Sequence, residues 1–158
     1  MDTSNLQSYL GVKVLKAVEM NLGDYNLFRG WGIPVDEDPL TEGYLVVYPD
    51  GYRSWSPKEA FEKCYLPLTV YNKITEVEID NLLLEPTATK IDEKTTLVKI
   101  DSAIGYVNYE VSSCVDPANY DHDLGIRLAT DKVKNKLWPL LGFVLQWGIN
   151  GLKYRSRQ

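Results

Sequence analysis

Cysteine, histidine and long apolar runs are scarce in this chain, and each shortage argues against a class of protein. The 158 residues include 2 cysteines and 1 histidine, and Cys64 and Cys114 lie far apart without metal-ligand spacing. A zinc site is therefore not predicted, and we expect two buried, reduced thiols rather than a disulfide. The longest apolar candidate, Leu137–Ile149, is interrupted by Pro139 and by two glycines. It falls short of the roughly 18–20 apolar residues that span a bilayer, so no membrane partner is expected.

A basic surplus is also missing. The net charge is −5, and acidic residues outnumber basic ones in both halves of the chain. A domain that binds duplex nucleic acid must neutralise phosphates, so this class of partner is not expected. The start of the chain lacks the basic-then-apolar layout of a secretory signal, which favours a cytoplasmic protein. Because no glycine-rich phosphate loop or Ser-His-Asp layout occurs, we predict no cofactor and no catalytic residue.

The composition is that of an ordinary globular protein, with 44% hydrophobic and 25% charged residues. Patterning along the chain predicts an α+β fold made of two small modules. The first, residues 12–66, is β-rich and follows a loosely ordered start at 1–11. The second, residues 72–152, combines a helix, an antiparallel hairpin and a long helix, and a basic tail follows at 153–158.

In the first module, Val12–Met20 alternates apolar and polar residues as a strand does. The run Tyr44–Tyr48 is a second strand, and Pro49-Asp50-Gly51 is a strong turn signal. Tyr52–Trp55 returns as its hairpin partner. Ser56, followed by Pro57, is a typical helix start, and this predicts a helix to about Tyr65 with Cys64 on its buried face.

In the second module, Thr75 begins a helix that runs to about Leu84. Strand alternation follows at 94–101 and 106–114, with a third strand predicted at 87–91. Asp116 and Pro117 are predicted to open the longest helix. Its apolar face is formed by residues at spacings of three and four: Ile126, Ala129, Val133, Leu137, Leu140, Val144 and Trp147. Pro139 lies inside this pattern and predicts a kink or break near Trp138.

The stretch from Ser113 to Asp123 holds the single histidine and Cys114, and it looks like an active site. In a catalytic interpretation, His122 would be a general base and Cys114 a nucleophile. However, consecutive residues on a helix point about 100° apart, so Asp121, His122 and Asp123 do not converge. Capping explains the acids better. We interpret the segment as a helix-cap motif that includes Asp116, Pro117, Tyr120 and Asp121.

Aromatic residues are concentrated around the predicted hairpin, together with two arginines. Rings beside arginines can stack a base and hold phosphates, or they can simply pack across strands. Both interpretations stay open, and the candidate contacts for a ligand or partner are Arg29, Trp31, Arg53 and Trp55.

The string Cys114-Val-Asp-Pro-Ala-Asn-Tyr-Asp121, followed by Gly125 and Lys134-Asn-Lys-Leu-Trp138, resembles a family of small bacteriophage accessory proteins. These are early or accessory products of tailed phages of enteric bacteria, and most are uncharacterised. The resemblance covers about residues 72–150 and implies that the second module is of phage origin.

The first module is similar to another phage and prophage module. The similarity rests on Arg29-Gly-Trp31, Gly43-Tyr-Leu-Val46, Pro49-Asp-Gly-Tyr52 and Ser54-Trp-Ser-Pro-Lys58. That module occurs fused ahead of other small phage domains, some related to anti-defence sponges that sequester nucleotide immune signals. The resemblance suggests a setting rather than an activity.

Three hypotheses about function result. The first is a non-enzymatic accessory protein of the bacterial cytoplasm that binds a small nucleotide-like ligand or a host protein and counteracts host defence. The second is an assembly role, with homo-oligomers formed through the Leu137–Trp147 apolar face. The third is an enzyme that uses Cys114 or His122.

Overall fold

The computed structural model describes residues 6–153, which divide into two compact units. Unit 1 contains the chain up to Pro67 together with the residues from Trp147 onward, and unit 2 is Leu68–Gln146. The second module predicted from the sequence extends to residue 152, beyond the end of unit 2 at Gln146. Parts of two predicted segments, the loosely ordered start and the basic tail, lie outside the described residues. The α+β prediction is confirmed, since each unit contains a three-stranded antiparallel sheet with helices.

Unit 1 is built around the predicted hairpin. Its elements are β1 (Lys16–Glu19), α1 (Leu22–Phe28), β2 (Gly43–Val47), β3 (Arg53–Pro57) and α2 (Lys58–Cys64). The strand order is β1-β2-β3, with Leu45 opposite Trp55. Gly51 has φ +84°, a value that glycine adopts readily, and it closes the turn. Adjacent residues Leu45 and Val46 are both buried, so both faces of β2 are covered.

Helix α2 packs on this sheet through an aromatic stack rather than through its cysteine. Phe61 stacks on Tyr44 with ring centroids 4.3 Å apart and on Tyr65 at 4.7 Å. Because these rings fill the contact, Cys64 is exposed, and the prediction of a buried thiol there is wrong. Both cysteines are free, as predicted. The helix also begins later than predicted, at Lys58, and Ser56 belongs to β3 instead of capping the helix.

Unit 2 carries a second sheet under a long helix. Its elements are α3 (Glu76–Leu82), β4 (Thr87–Lys90), β5 (Thr95–Asp101), β6 (Val107–Ser113), a 3-10 turn (Pro117–Asn119) and most of α4 (His122–Asn150). The last residues of α4, from Trp147 onward, belong to unit 1. The strand order β4-β5-β6 includes the predicted third strand. One core cluster joins Val98 and Ile100 of β5 to Ala129 and Val133 of α4. A second cluster joins Ile79 and Leu82 of α3 to Leu137 of α4.

The predicted start of α4 is wrong. Asp116 caps the 3-10 turn by accepting from the Ala118 amide at 2.9 Å, and Pro117 opens that turn, so α4 itself begins later. The cap of α4 is Asp121, whose side chain accepts from the Leu124 amide at 2.9 Å. Of the predicted kink or break near Trp138, the break is absent, because one helix continues through Pro139, whereas the kink stays a prediction. Proline frees the carbonyl of Asn135, an exposed residue, and water can satisfy it.

Candidate functional site

A cluster of arginines and aromatic rings lies at the end of α1 and the start of β3. We call it the arginine–aromatic cluster, and its members are Tyr25, Phe28, Arg29, Trp31 and Arg53. Tyr25 is buried and forms its base, whereas Phe28 and Trp31 are 47% and 52% exposed. Both arginines are exposed. Three of the four predicted contacts, Arg29, Trp31 and Arg53, therefore belong to one surface of unit 1.

The end of α1 directs Trp31 onto this surface. Gly30 has φ +72° directly after the helix, a conformation that favours glycine. The Gly30 amide donates to the Leu27 carbonyl at 2.9 Å, and the Trp31 amide donates to the Asn26 carbonyl at 2.8 Å. These two bonds form a Schellman motif, which turns the chain back over the last helical turn. The Arg-Gly-Trp sequence thus determines locally where the indole lies.

Cation–π and edge-to-face contacts hold the cluster together. The Arg29 guanidinium lies 4.7 Å from the Trp31 ring centroid and 6.0 Å from that of Tyr25. Tyr25 and Trp31 meet edge to face at 6.2 Å. The Arg53 guanidinium lies 5.5 Å from the Phe28 ring. Contacts of this kind contribute about 0.5–1 kcal/mol each at exposed sites, enough to orient the side chains without burying them.

The charges of the two guanidinium groups are not neutralised by carboxylates of the described residues. Arg29 donates through Nη1 to the Arg53 carbonyl at 3.4 Å, which links α1 to β3. Within residues 6–153, neither Arg29 nor Arg53 forms an ion pair with a carboxylate. The nearby carboxylate of Glu37 accepts from Asn26 Nδ2 at 3.2 Å instead. Both guanidiniums can therefore offer N–H donors to a carboxylate or phosphate.

Trp55, the fourth predicted contact, makes contacts that stabilise the sheet. Its indole N–H donates to the Met20 carbonyl at 2.8 Å, and the residue is half-buried. Its ring lies over Gly43, where a Cβ would collide with Cζ2. These contacts assign Trp55 to the packing of unit 1.

The Cys114–Asp123 segment forms a hydrogen-bonded clasp between β5 and α4. Tyr120 is its centre, with its hydroxyl 2.9 Å from Thr96 Oγ1 and 2.9 Å from His122 Nδ1. The Lys90 ammonium lies 4.1 Å from the Tyr120 ring centroid. The Cys114 thiol donates to the Asp116 carbonyl at 3.1 Å. Cys114, Tyr120 and His122 of the apparent active site thus bind one another or the backbone, in keeping with the cap-motif interpretation.

Phe28 and Tyr120 show what the sequence signals missed. Phe28 was not selected as a contact, although it lies beside Arg29, because nothing local indicates that Arg53 would cover its ring. The link from Tyr120 to Thr96 likewise joins positions 24 residues apart.

Among the described residues, no group of His, Cys, Asp and Glu side chains is placed to hold a metal ion. None of the helices from residue 6 to 153 has the length and apolar character needed to cross a membrane.

Comparison with protein families identifies the second unit. Residues 67–149, just over half of the chain, match the model of the Phage protein (N4 Gp49/phage Sf6 gene 66) family. The chain belongs to this family. The match contains the Tyr120 clasp, α3, the second sheet and almost all of α4, so the resemblance of the second module is confirmed. It begins at residue 67, so the resemblance of the first module stays a prediction. Neither the search of curated proteins nor that of solved structures found a match.

Proposed function

We propose that this phage accessory protein is non-enzymatic, acts in the bacterial host cytoplasm and binds a host protein through the arginine–aromatic cluster. The observation that carries the proposal is the pair of exposed, carboxylate-free guanidiniums stacked on half-exposed rings. Tryptophan, tyrosine and arginine dominate the binding energy of protein interfaces. Membership in a phage family supports the accessory role.

The surroundings of the cluster favour a protein partner over a nucleotide. Apolar side chains close to its residues in sequence are also exposed, among them Leu27 at 64% and Ile33 at 44%. A protein can cover such residues, whereas a single base cannot. The Arg29 guanidinium already lies 4.7 Å from the Trp31 ring centroid, which leaves less of the indole free to stack a base. We expect the partner to present carboxylates to Arg29 and Arg53.

The test compares capture of host proteins by the wild type and by the double variant Trp31→Ala, Arg53→Ala. Both substitutions remove exposed side chains, so the melting temperature should change little. Loss of two anchors should cost about 2–4 kcal/mol of binding, which corresponds to a loss of roughly 30-fold to 900-fold in affinity. Quantitative mass spectrometry of eluates from an enteric host lysate should show the partner depleted accordingly.

The matched control is Tyr71→Ala, Arg127→Ala, which removes an exposed ring and an exposed arginine from unit 2. It should capture the partner as the wild type does. Equal capture by all three proteins would contradict the proposed surface. A different result would favour a small nucleotide-like ligand over a host protein. In that case no protein is captured, and nucleotides raise the melting temperature of the wild type and the control but not that of the Trp31→Ala, Arg53→Ala variant.

We further propose that the host process is defence against phage. This step is supported by the resemblance of the first module to one fused to domains related to anti-defence sponges. Expression of the wild type should raise phage plating on a defence-carrying host, and the Trp31→Ala, Arg53→Ala variant should not. If the wild type leaves phage plating unchanged on hosts that carry a panel of defence systems, the role in defence is contradicted. The proposed binding surface would not be affected by that result.

A further inference from the structure

The apolar face of α4 is covered along its first half and exposed along its second. Ala129, Val133 and Leu137 are 3% exposed or less, since the sheet and α3 pack against them. The same face continues with Leu140 and Val144, which are 50% and 43% exposed. Phe143, beside them on the helix, is 71% exposed. Three large apolar side chains within two helical turns therefore lie in contact with solvent.

We propose that this face, Leu140, Phe143 and Val144, is a self-association surface whose occupant is a second copy of the chain. The absence of charge favours this occupant, since no Asp, Glu, Lys, Arg or His occurs from Leu137 to Leu152. In a two-fold dimer each surface meets its own copy, so like charges on it would repel. A dimer formed through an uncharged surface avoids this repulsion. The same surface lacks the charged groups that would attract a charged partner.

A lipid surface fits this face less well. Helices that lie on membranes carry Lys and Arg on their polar side to bind anionic headgroups. The opposite side of α4 in this stretch presents Gly142 and Gln146 instead. Neutral apolar residues at spacings of three and four, as here, are the pattern by which two helices pack.

The expected geometry is an antiparallel pair of α4 helices related by a two-fold axis near Phe143. In this arrangement Leu140 of one copy contacts Val144 of the other, and the two Phe143 rings meet near the axis. A few side chains bury less than the about 800 Å² per partner of a standard interface. We therefore expect a dissociation constant in the micromolar range, so that dimers form at raised concentration.

Sedimentation velocity across about 1–100 µM protein tests the proposal. The wild type should shift from monomer towards dimer mass as concentration rises. The variant Leu140→Ser, Phe143→Ser should stay monomeric throughout, and the milder Val144→Ser should weaken association by several-fold. Because all three positions are exposed, the variants should keep the wild-type circular dichroism and melting temperature at low concentration.

The matched control is Leu124→Ser, Leu128→Ser, which removes two exposed leucines from another side of the same helix. It should dimerise as the wild type does. Three results would each overturn the proposal: a wild type that remains monomeric at 100 µM, association that survives Leu140→Ser, Phe143→Ser, or a monomer that binds phosphatidylcholine–phosphatidylglycerol vesicles through this face. The outcome is independent of host-protein capture, because that surface lies in the other unit.

Discussion

Glu78 is a carboxylate that the fold buries completely and satisfies with hydrogen bonds. Its residue exposure is 0%. Oε1 accepts from the Thr69 amide at 2.5 Å, and Oε2 accepts from the amide and hydroxyl of Thr75 at 2.6 and 2.5 Å. Burial acts to raise the pKa of Glu78, but the bonds from Thr75 and Thr69 favour the charged form more strongly and lower the pKa from 4.5 to about 2.

A lowered folded-state pKa gives a definite dependence of stability on pH. The Glu78 contribution is complete above about pH 5, where the unfolded carboxyl is also ionised, and it is lost as the pH falls towards 2. Glu78→Gln should lower the free energy of unfolding by about 2–3 kcal/mol at pH 7, the size of a charge-assisted hydrogen bond. The difference between the two proteins should shrink between pH 5 and pH 2. Urea unfolding across this range measures it.

Glu76 supplies the matched control for Glu78. It lies in the same first turn of α3, its side chain is 69% exposed, and it pairs with Lys134 at 3.3 Å. Glu76→Gln should cost less than about 1 kcal/mol, as exposed pairs do. If both substitutions had equal effects at pH 7, or if the Glu78→Gln difference persisted unchanged at pH 2, the role assigned to the Glu78 hydrogen bonds would be wrong.

At the scale of elements, two of the three glycines of α4, Gly125 and Gly142, have opposite surroundings. A Cβ at Gly125 would lie 2.9 Å from Thr96 Oγ1 and 3.2 Å from its Cβ. A Cβ at Gly142 would meet nothing within 4 Å. Glycine is thus required at one position, where α4 approaches β5 closely, and is only a weak helix former at the other.

Alanine at these two positions should therefore change stability in opposite directions. Gly125→Ala should destabilise by about 1–3 kcal/mol through overpacking against Thr96, and it should loosen the Tyr120 clasp that shares this residue. Gly142→Ala should stabilise by up to about 1 kcal/mol through helix propensity. Thermal melts of both variants at low micromolar concentration measure the two shifts. Destabilisation by Gly142→Ala would show that the second half of α4 is packed in solution.

At the scale of the whole molecule, the chain has two units with separate cores. Unit 1 buries Leu45 and Val46 in its sheet, whereas unit 2 buries Val98 and Ile100 against α4. Chains with more than one core commonly depart from two-state unfolding. We therefore expect a calorimetric enthalpy of unfolding larger than the van't Hoff enthalpy.

Matched core variants assign the transitions. Val46→Ala and Val98→Ala each remove the same two methyl groups from a side chain that is at most 2% exposed. Each should cost about 2 kcal/mol. Val46→Ala should lower the melting temperature of one transition and Val98→Ala that of the other, as followed by differential scanning calorimetry. A single transition lowered equally by both variants would show that the units unfold together.

Local signals made most of the elements predictable. The hairpin follows from Pro49-Asp50-Gly51, and α3 follows from its cap at Thr75. The paired strands of unit 2 follow from alternation that matches the buried face of β5. These features depend on residues that are neighbours in the sequence, so the amino-acid sequence alone determined them. The family of the second unit was likewise readable from the string around Tyr120.

Contacts between distant segments decided the rest. Asp116 caps the 3-10 turn and Asp121 caps α4, with Tyr120 hydrogen-bonded to Thr96 of β5 between them in the chain. Arg29 and Arg53 come together because the chain between them folds back through β2.

The second half of α4 has the same apolar periodicity as the first, yet Leu140 and Val144 are exposed where Leu137 is buried. Sequence determines which residues share a face of an element, since periodicity is local. Only tertiary structure decides which faces are covered, because burial depends on what else in the fold reaches them.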